Sequence, residues 1–240
     1  MSVTSLPLAG KHRDTRVKVM AWYDWVLAGA TFVSFVAALY AAFIYAPTEA
    51  VQGDAQRIFY FHVSLAWLAY LSFFIVFAAS LLYLWKRADR WDVLARCSAE
   101  IGVVFTTLVL ITGMLWGRPI WGTWWTWDAR LTTTLILWAI YVVYLMLRAY
   151  SNDRTRGARY GAVLGIIGFA DVPIVQMSVV WWRTLHPGPV IREGGMTSEM
   201  LVALMVSLLA FTLLYAFMMR QRVRIEWMKE EIEQLQESEG

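Results

Sequence analysis

Ile58–Trp85 reads IFYFHVSLAWLAYLSFFIVFAASLLYLW and contains no Asp, Glu, Lys or Arg. A helix needs about 20 apolar residues to cross the hydrocarbon core of a bilayer. This run is longer, so as a span it must tilt or project from the membrane. Five further apolar segments lie around it, at Trp25–Ala46, Ser98–Trp116, Leu131–Ala149, Tyr160–Trp182 and Glu199–Met219. The expected fold is all-α, an integral membrane bundle of six transmembrane helices. Composition agrees: 59% of residues are hydrophobic and only 16% charged, with a mean hydropathy of +0.51, which a soluble chain of this length would not carry. No segment has the short apolar core and small-residue cleavage site of a removable signal peptide. The single cysteine, Cys97, excludes an internal disulfide and a CxxC motif; bordering the third span, it reads as an inert small residue.

The charges sit in short blocks between the apolar runs. The pI near 9.0 therefore reports loop arginines and lysines, and no nucleic-acid partner is expected. Of the 21 basic residues, all but Arg57, Arg118, Arg130, Arg183 and Arg192 fall on one side of the six-span layout. The positive-inside rule then places both termini in the cytoplasm. Residues 1–24 read as a cytoplasmic arm, 25–220 as the membrane domain and 221–240 as a cytoplasmic tail helix. The first, third and fifth loops face outward.

The third loop holds the chain's most unusual stretch, WGRPIWGTWWTWDARLT at Trp116–Thr132. Trp116, Trp121, Trp124, Trp125 and Trp127 are followed by Asp128 and Arg130. As an interfacial belt, such rings would sit at the acyl boundary with their N–H groups in the wet layer. They would equally make a platform for a large flat ligand. Pro119 and Gly122 predict a turn after the third span. A helical segment beyond it would place Trp121, Trp125 and Asp128 on one aromatic face along the membrane surface.

The same layout brings two histidines to the outward face. His62 lies about one turn into the second span, and His186 follows the fifth in WWRTLHPG; His12 belongs to the cytoplasmic arm. An ionisable side chain at the edge of a span is a functional candidate, against the plainer reading of an imidazole satisfied by a carbonyl or headgroup. Two neutral imidazoles can ligate one iron from opposite sides of a porphyrin, and tryptophan rings can border its π-system. Every outward basic residue is Arg, whose planar fork suits carboxylates, so Arg118, Arg130, Arg183 and Arg192 are candidate propionate partners. The alternative is that they snorkel to lipid headgroups. GxSxG, HExxH and Walker motifs are missing from the sequence. The chain is read as a non-enzyme, with energy for directional work coming from a partner.

The run WGTWWTWDARLT resembles the tryptophan-rich WWD signature of the haem-handling proteins of c-type cytochrome biogenesis. Six spans, the chain length and WWRTLHPG are similar to the haem exporter protein C (CcmC) family within that group, from about Trp22 to Met219. The resemblance implies a cell inner membrane protein, multi-pass, that holds haem b at the outer face and supports its loading onto the haem chaperone CcmE. It implies work beside an ABC-type ATPase and its membrane partner (CcmA, CcmB) and the small subunit CcmD. It places the axial iron ligands on His62 and His186 and the WWD motif on Trp116–Thr132. The residues alone also leave open a membrane b-type cytochrome, a scaffold subunit anchored by its tryptophans, and a WWD protein of another assembly system.

Two features stand apart. Asp171 lies near mid-span close to Pro173, and its protonated carboxyl is expected to donate to the carbonyl that the proline frees, the alternative being a proton-relay role. In the tail, Ile225, Met228, Ile232 and Leu235 follow the spacing of a short a/d seam, which would need a docking surface, with Glu226 and Glu230 on other faces; the equal alternative is a solvated, frayed helix end.

Overall fold

The computed structural model describes residues 21–182, 184–186 and 195–239. Seven α-helices build six spans long and apolar enough to cross a membrane, and no β-strand occurs among the described residues. Helix α1 (Trp22–Tyr40) continues into a π-helical turn at Ala41–Tyr45. Wider π turns leave carbonyls short of partners. Arg57 answers this by donating to Ala42 O at 2.5 Å and Ala46 O at 3.3 Å, which ties the loop between the first two spans to the end of the first.

Helices α2 (Ile58–Lys86) and α3 (Asp89–Trp121) form a long hairpin linked only by Arg87 and Ala88. Arg87 is left-handed, with φ 52°, and its N–H bonds Tyr83 O at 2.8 Å. At about 1.5 Å per residue these helices run roughly 44 and 50 Å, beyond a hydrocarbon core of about 30 Å. The expected turn at Pro119 is not formed. Pro119 sits within the last turn of α3, which runs on past the expected end at Trp116 to Trp121. Pro119 has no N–H to give Leu115 O, and the helix carries on only to Trp121; Gly122, with φ 76°, closes the end with its N–H on Arg118 O at 3.1 Å.

Helix α4 (Ala129–Ala149) is the fourth span. The fifth is two helices, α5 (Arg154–Phe169) and α6 (Asp171–Trp181), broken at Ala170. Pro173 explains the break: it cannot donate to Phe169 O, so the chain restarts with the proline in a first turn, where no N–H is needed. The hydrogen bond expected from Asp171 is not made; its Oδ2 is buried without a partner. The last span, in α7 (Ser198–Glu239), runs through position 221 without interruption.

α2 is the central helix, packed against α3, α5 and α7, while α4 lies against α3, α5 and α6. Phe73 on α2 stacks on Tyr141 of α4 with centroids 3.8 Å apart. Gly165 permits the close approach of α5, since a Cβ there would meet Val76 Cγ1 at 2.9 Å. The bundle has two unlike ends. At the charged end Arg148 grips Asp92 through two bonds of 2.5 and 2.6 Å, both residues nearly buried. Arg222 bridges Glu100 and Glu226, and Asp24 takes Arg220 and Arg224. In the tail it is Glu226 and Glu230 that meet the bundle, through Arg96 of α3 and Arg154 of α5. Ion pairing sets the roll of the helix, and Ile225, Ile232 and Leu235 are left exposed. The opposite end is aromatic and carries the segments at 46–53, 122–128 and 184–186.

Candidate functional site

The aromatic end encloses a cavity of about 470 Å³, within the range of small-molecule and cofactor sites. Its walls come from α2, α3, α4, α6, α7 and the segment after α6. Six of the residues singled out in the sequence meet there: His62, His186, Trp116, Trp121, Trp125 and Arg130.

His62 occupies the second turn of α2 and is 8% exposed. Its Nδ1 lies 2.9 Å from Thr112 Oγ1 on α3. The ring rests against Gly113, where a Cβ would come within 3.3 Å of His62 Cε1. His186 is half-buried beyond α6, with its backbone N–H on Thr184 Oγ1 at 3.1 Å. The two imidazoles have centroids 6.4 Å apart and planes inclined by 37°. Trp116 borders His62 at 5.8 Å and Trp121 borders His186 at 6.3 Å. An imidazole ligates through a nitrogen about 2 Å from the metal. Two on opposite sides of one ion hold their centroids about 6 Å apart, so this spacing suits a single shared ion.

Each tryptophan has its own role. Trp116 is anchored by Nε1 donating to Gln52 Oε1 at 3.1 Å, with its ring edge-on to Phe59. Trp121 ends α3. The expected aromatic helix beyond it is not formed: Trp124, Trp125 and Trp127 lie in an irregular link, because Gly122 turns the chain and α4 does not start until Ala129. Trp125 faces the cavity with its Nε1 buried and unpaired. Trp124 and Trp127 are exposed and do not line the cavity.

Asp128 does not line the cavity either. It is the N-cap of α4: Oδ1 accepts from Leu131 N–H and Oδ2 from Thr126 Oγ1, both at 3.0 Å. That cap puts Arg130 in the first turn of α4, pointed into the cavity. Arg130 donates to Val175 O at 3.3 Å, while its Nε is buried without a partner. Arg118 turns away, donating to Gly122 O and lying over the Trp124 ring at 6.0 Å. Arg183 and Arg192 lie outside the described residues. Sequence reasoning missed Thr112, Gly113, Tyr70 and Gln176, all at or beside the cavity. A Thr-Gly pair inside an apolar helix was the only signal for the first two.

The comparisons place the chain among known proteins. The family model described as Heme exporter protein C matches residues 10–238. Among curated relatives, a Heme exporter protein C of Bradyrhizobium diazoefficiens is 40% identical over 222 residues, spanning 91% of this chain and 82% of the relative. That of Escherichia coli K12 is 36% identical, spanning 86% of this chain and 84% of the relative. That of Haemophilus influenzae is 35% identical, spanning 91% and 90%.

Proposed function

The chain belongs to the Heme exporter protein C family, and from that we propose that it is a haem-handling membrane subunit of c-type cytochrome maturation. Its cargo is haem b, held between His62 and His186 and passed to a haem chaperone of the CcmE kind. The observation that carries this reading is the pair of imidazoles 6.4 Å apart on one cavity. Among the described residues no three His, Cys, Asp or Glu gather as a metal site. A bare cation needs about four protein donors, whereas an iron already chelated by a porphyrin needs two. The donor set thus suits a metal that arrives with its own planar ligand.

Arg130 is the propionate partner that best fits, because its guanidinium faces the cavity with a buried, unpaired Nε; a carboxylate there would complete a charge-assisted contact. Trp116, Trp121 and Trp125 would wall the macrocycle. Trp124 and Trp127, outside the cavity, are assigned to docking the chaperone. The role is carriage rather than catalysis, alongside the ABC-type ATPase and membrane subunits (CcmA, CcmB, CcmD) of a maturation complex in the inner membrane. The cavity end is taken as the outer face.

Haemin titration of the purified protein tests this. Wild type should give a six-coordinate low-spin spectrum, and His62→Ala and His186→Ala should each lose it and hold haem less well. Unchanged spectra in both variants would sink the two-histidine site. Mixing loaded protein with apo-chaperone separates cargo from an electron-transfer haem, because a b-type cytochrome would keep its haem.

A further inference from the structure

The proton count around His62 shows which of its nitrogens faces the cavity. Thr112 Oγ1 lies 2.7 Å from Leu108 O and 3.2 Å from Val109 O, both on its own helix. Two oxygens 2.7 Å apart need a proton between them, and a hydroxyl has only one to give. The Thr112 proton is therefore committed to the helix carbonyl. The 2.9 Å contact with His62 Nδ1 then requires that Nδ1 carry the hydrogen and donate to the hydroxyl lone pair. The neutral ring consequently keeps its free lone pair on Nε2. The Nδ1–Cε1 edge lies against Thr112 and Gly113, which leaves Nε2 as the nitrogen open to the cavity.

We propose that Thr112 is a positioning residue that locks His62 in the Nδ1–H tautomer and presents Nε2 as an axial donor to the cargo iron. This rests on the reading of His62 as a ligand. The second partner of a ligating histidine sets its orientation and its basicity. Here that partner is a neutral hydroxyl already engaged elsewhere, a weaker acceptor than a carboxylate. It aligns the imidazole without pushing it toward imidazolate, which suits a ligand that must let its cargo go.

The test compares Thr112→Val and Thr112→Ser in the full-length protein. Valine keeps the β-branched shape and removes the acceptor; serine restores it. Each variant is titrated with haemin, and the reduction potential of the bound iron is measured. Losing such a partner typically weakens metal binding about 10–100-fold. Thr112→Val should therefore bind haemin at least about tenfold more weakly. Its potential should move positive, because a less basic imidazole stabilises ferric iron less. Thr112→Ser should match wild type in both. If Thr112→Val equals wild type while His62→Ala loses haemin, the positioning role is wrong and the ligand stands. If serine fails as valine does, the effect is packing, and the hydroxyl role is wrong. If His62→Ala itself leaves binding and spectrum unchanged, the ligand reading fails and takes this inference with it.

Discussion

At the scale of single residues, the site sorts into groups that face the cavity and groups that hold those groups in place. Arg130 is of the first kind and Arg118 is not. A hydrogen bond to a charged group contributes about 1.5–3 kcal/mol, or roughly tenfold to a hundredfold in affinity. Arg130→Ala should weaken haemin binding by that factor and Arg118→Ala by far less; equal losses in a titration would remove the propionate assignment. Asp128 is of the second kind. Asp128→Ala should lower stability by about 1 kcal/mol as a lost N-cap, and Asp128→Ser should recover most of it, read as thermal midpoints in detergent. Trp124, exposed beyond the cavity, should tolerate Ala with haemin binding intact while delivering less haem to the chaperone. Loss of both in proportion would make it a pocket wall. The histidines and tryptophans were legible from residue type alone. The division between Arg130 and Arg118 was not, because it depends on where each guanidinium points after α3 ends at Gly122.

At the scale of elements, hydropathy located all six spans, yet three local features departed from it. α3 ran past Pro119, the fifth span broke at Ala170, and the first ended in a π turn. Each turns on one or two backbone hydrogen bonds, a difference of about 1 kcal/mol apiece, which neighbouring helices easily override. Gly122 is the position where the backbone itself decides. Gly122→Ala places a Cβ at φ 76°, at a cost of roughly 1–2 kcal/mol. The variant should be less stable and should shift the Trp121 and His186 ring contacts, seen as altered haemin spectra. The tail helix makes a different prediction. Its contacts to Arg96 and Arg154 both lie at the charged end, remote from the cavity. Deleting Glu226–Gly240 should lower the thermal midpoint and weaken association with membrane or cytoplasmic partners, while haemin binding is kept. Loss of binding in that truncation would show that the two ends are coupled.

At the scale of the whole molecule, the two ends differ in kind. One is a lattice of buried and half-buried ion pairs; the other is an aromatic chamber. Asp92 and Arg148 are nearly sealed from solvent, so Asp92→Ala leaves an uncompensated charge and should cost about 3–5 kcal/mol. Replacing both partners by apolar residues of similar size should recover most of the loss. Orientation is a separate expectation, from the uneven split of basic residues. A reporter active only outside the cytoplasm should be silent when fused after Gly240 and active when inserted near Gly195. The reverse result would put the cavity on the inner face.

Hydropathy and charge spacing in the sequence determined six apolar helices, their order, and the gathering of His62, His186 and the tryptophans at one end. These are properties of contiguous residues, and a span's length is set by the bilayer rather than by its neighbours. Only the tertiary structure decided that Arg130 enters the cavity, that Asp128 caps a helix, and that Thr112 meets His62 from fifty residues away. The reason is that a cavity wall is assembled from different helices. Its composition follows from how each helix is rolled and where it stops, and those are settled by packing at Gly165, capping at Gly122 and ion pairing at Arg148 rather than by any local run of sequence.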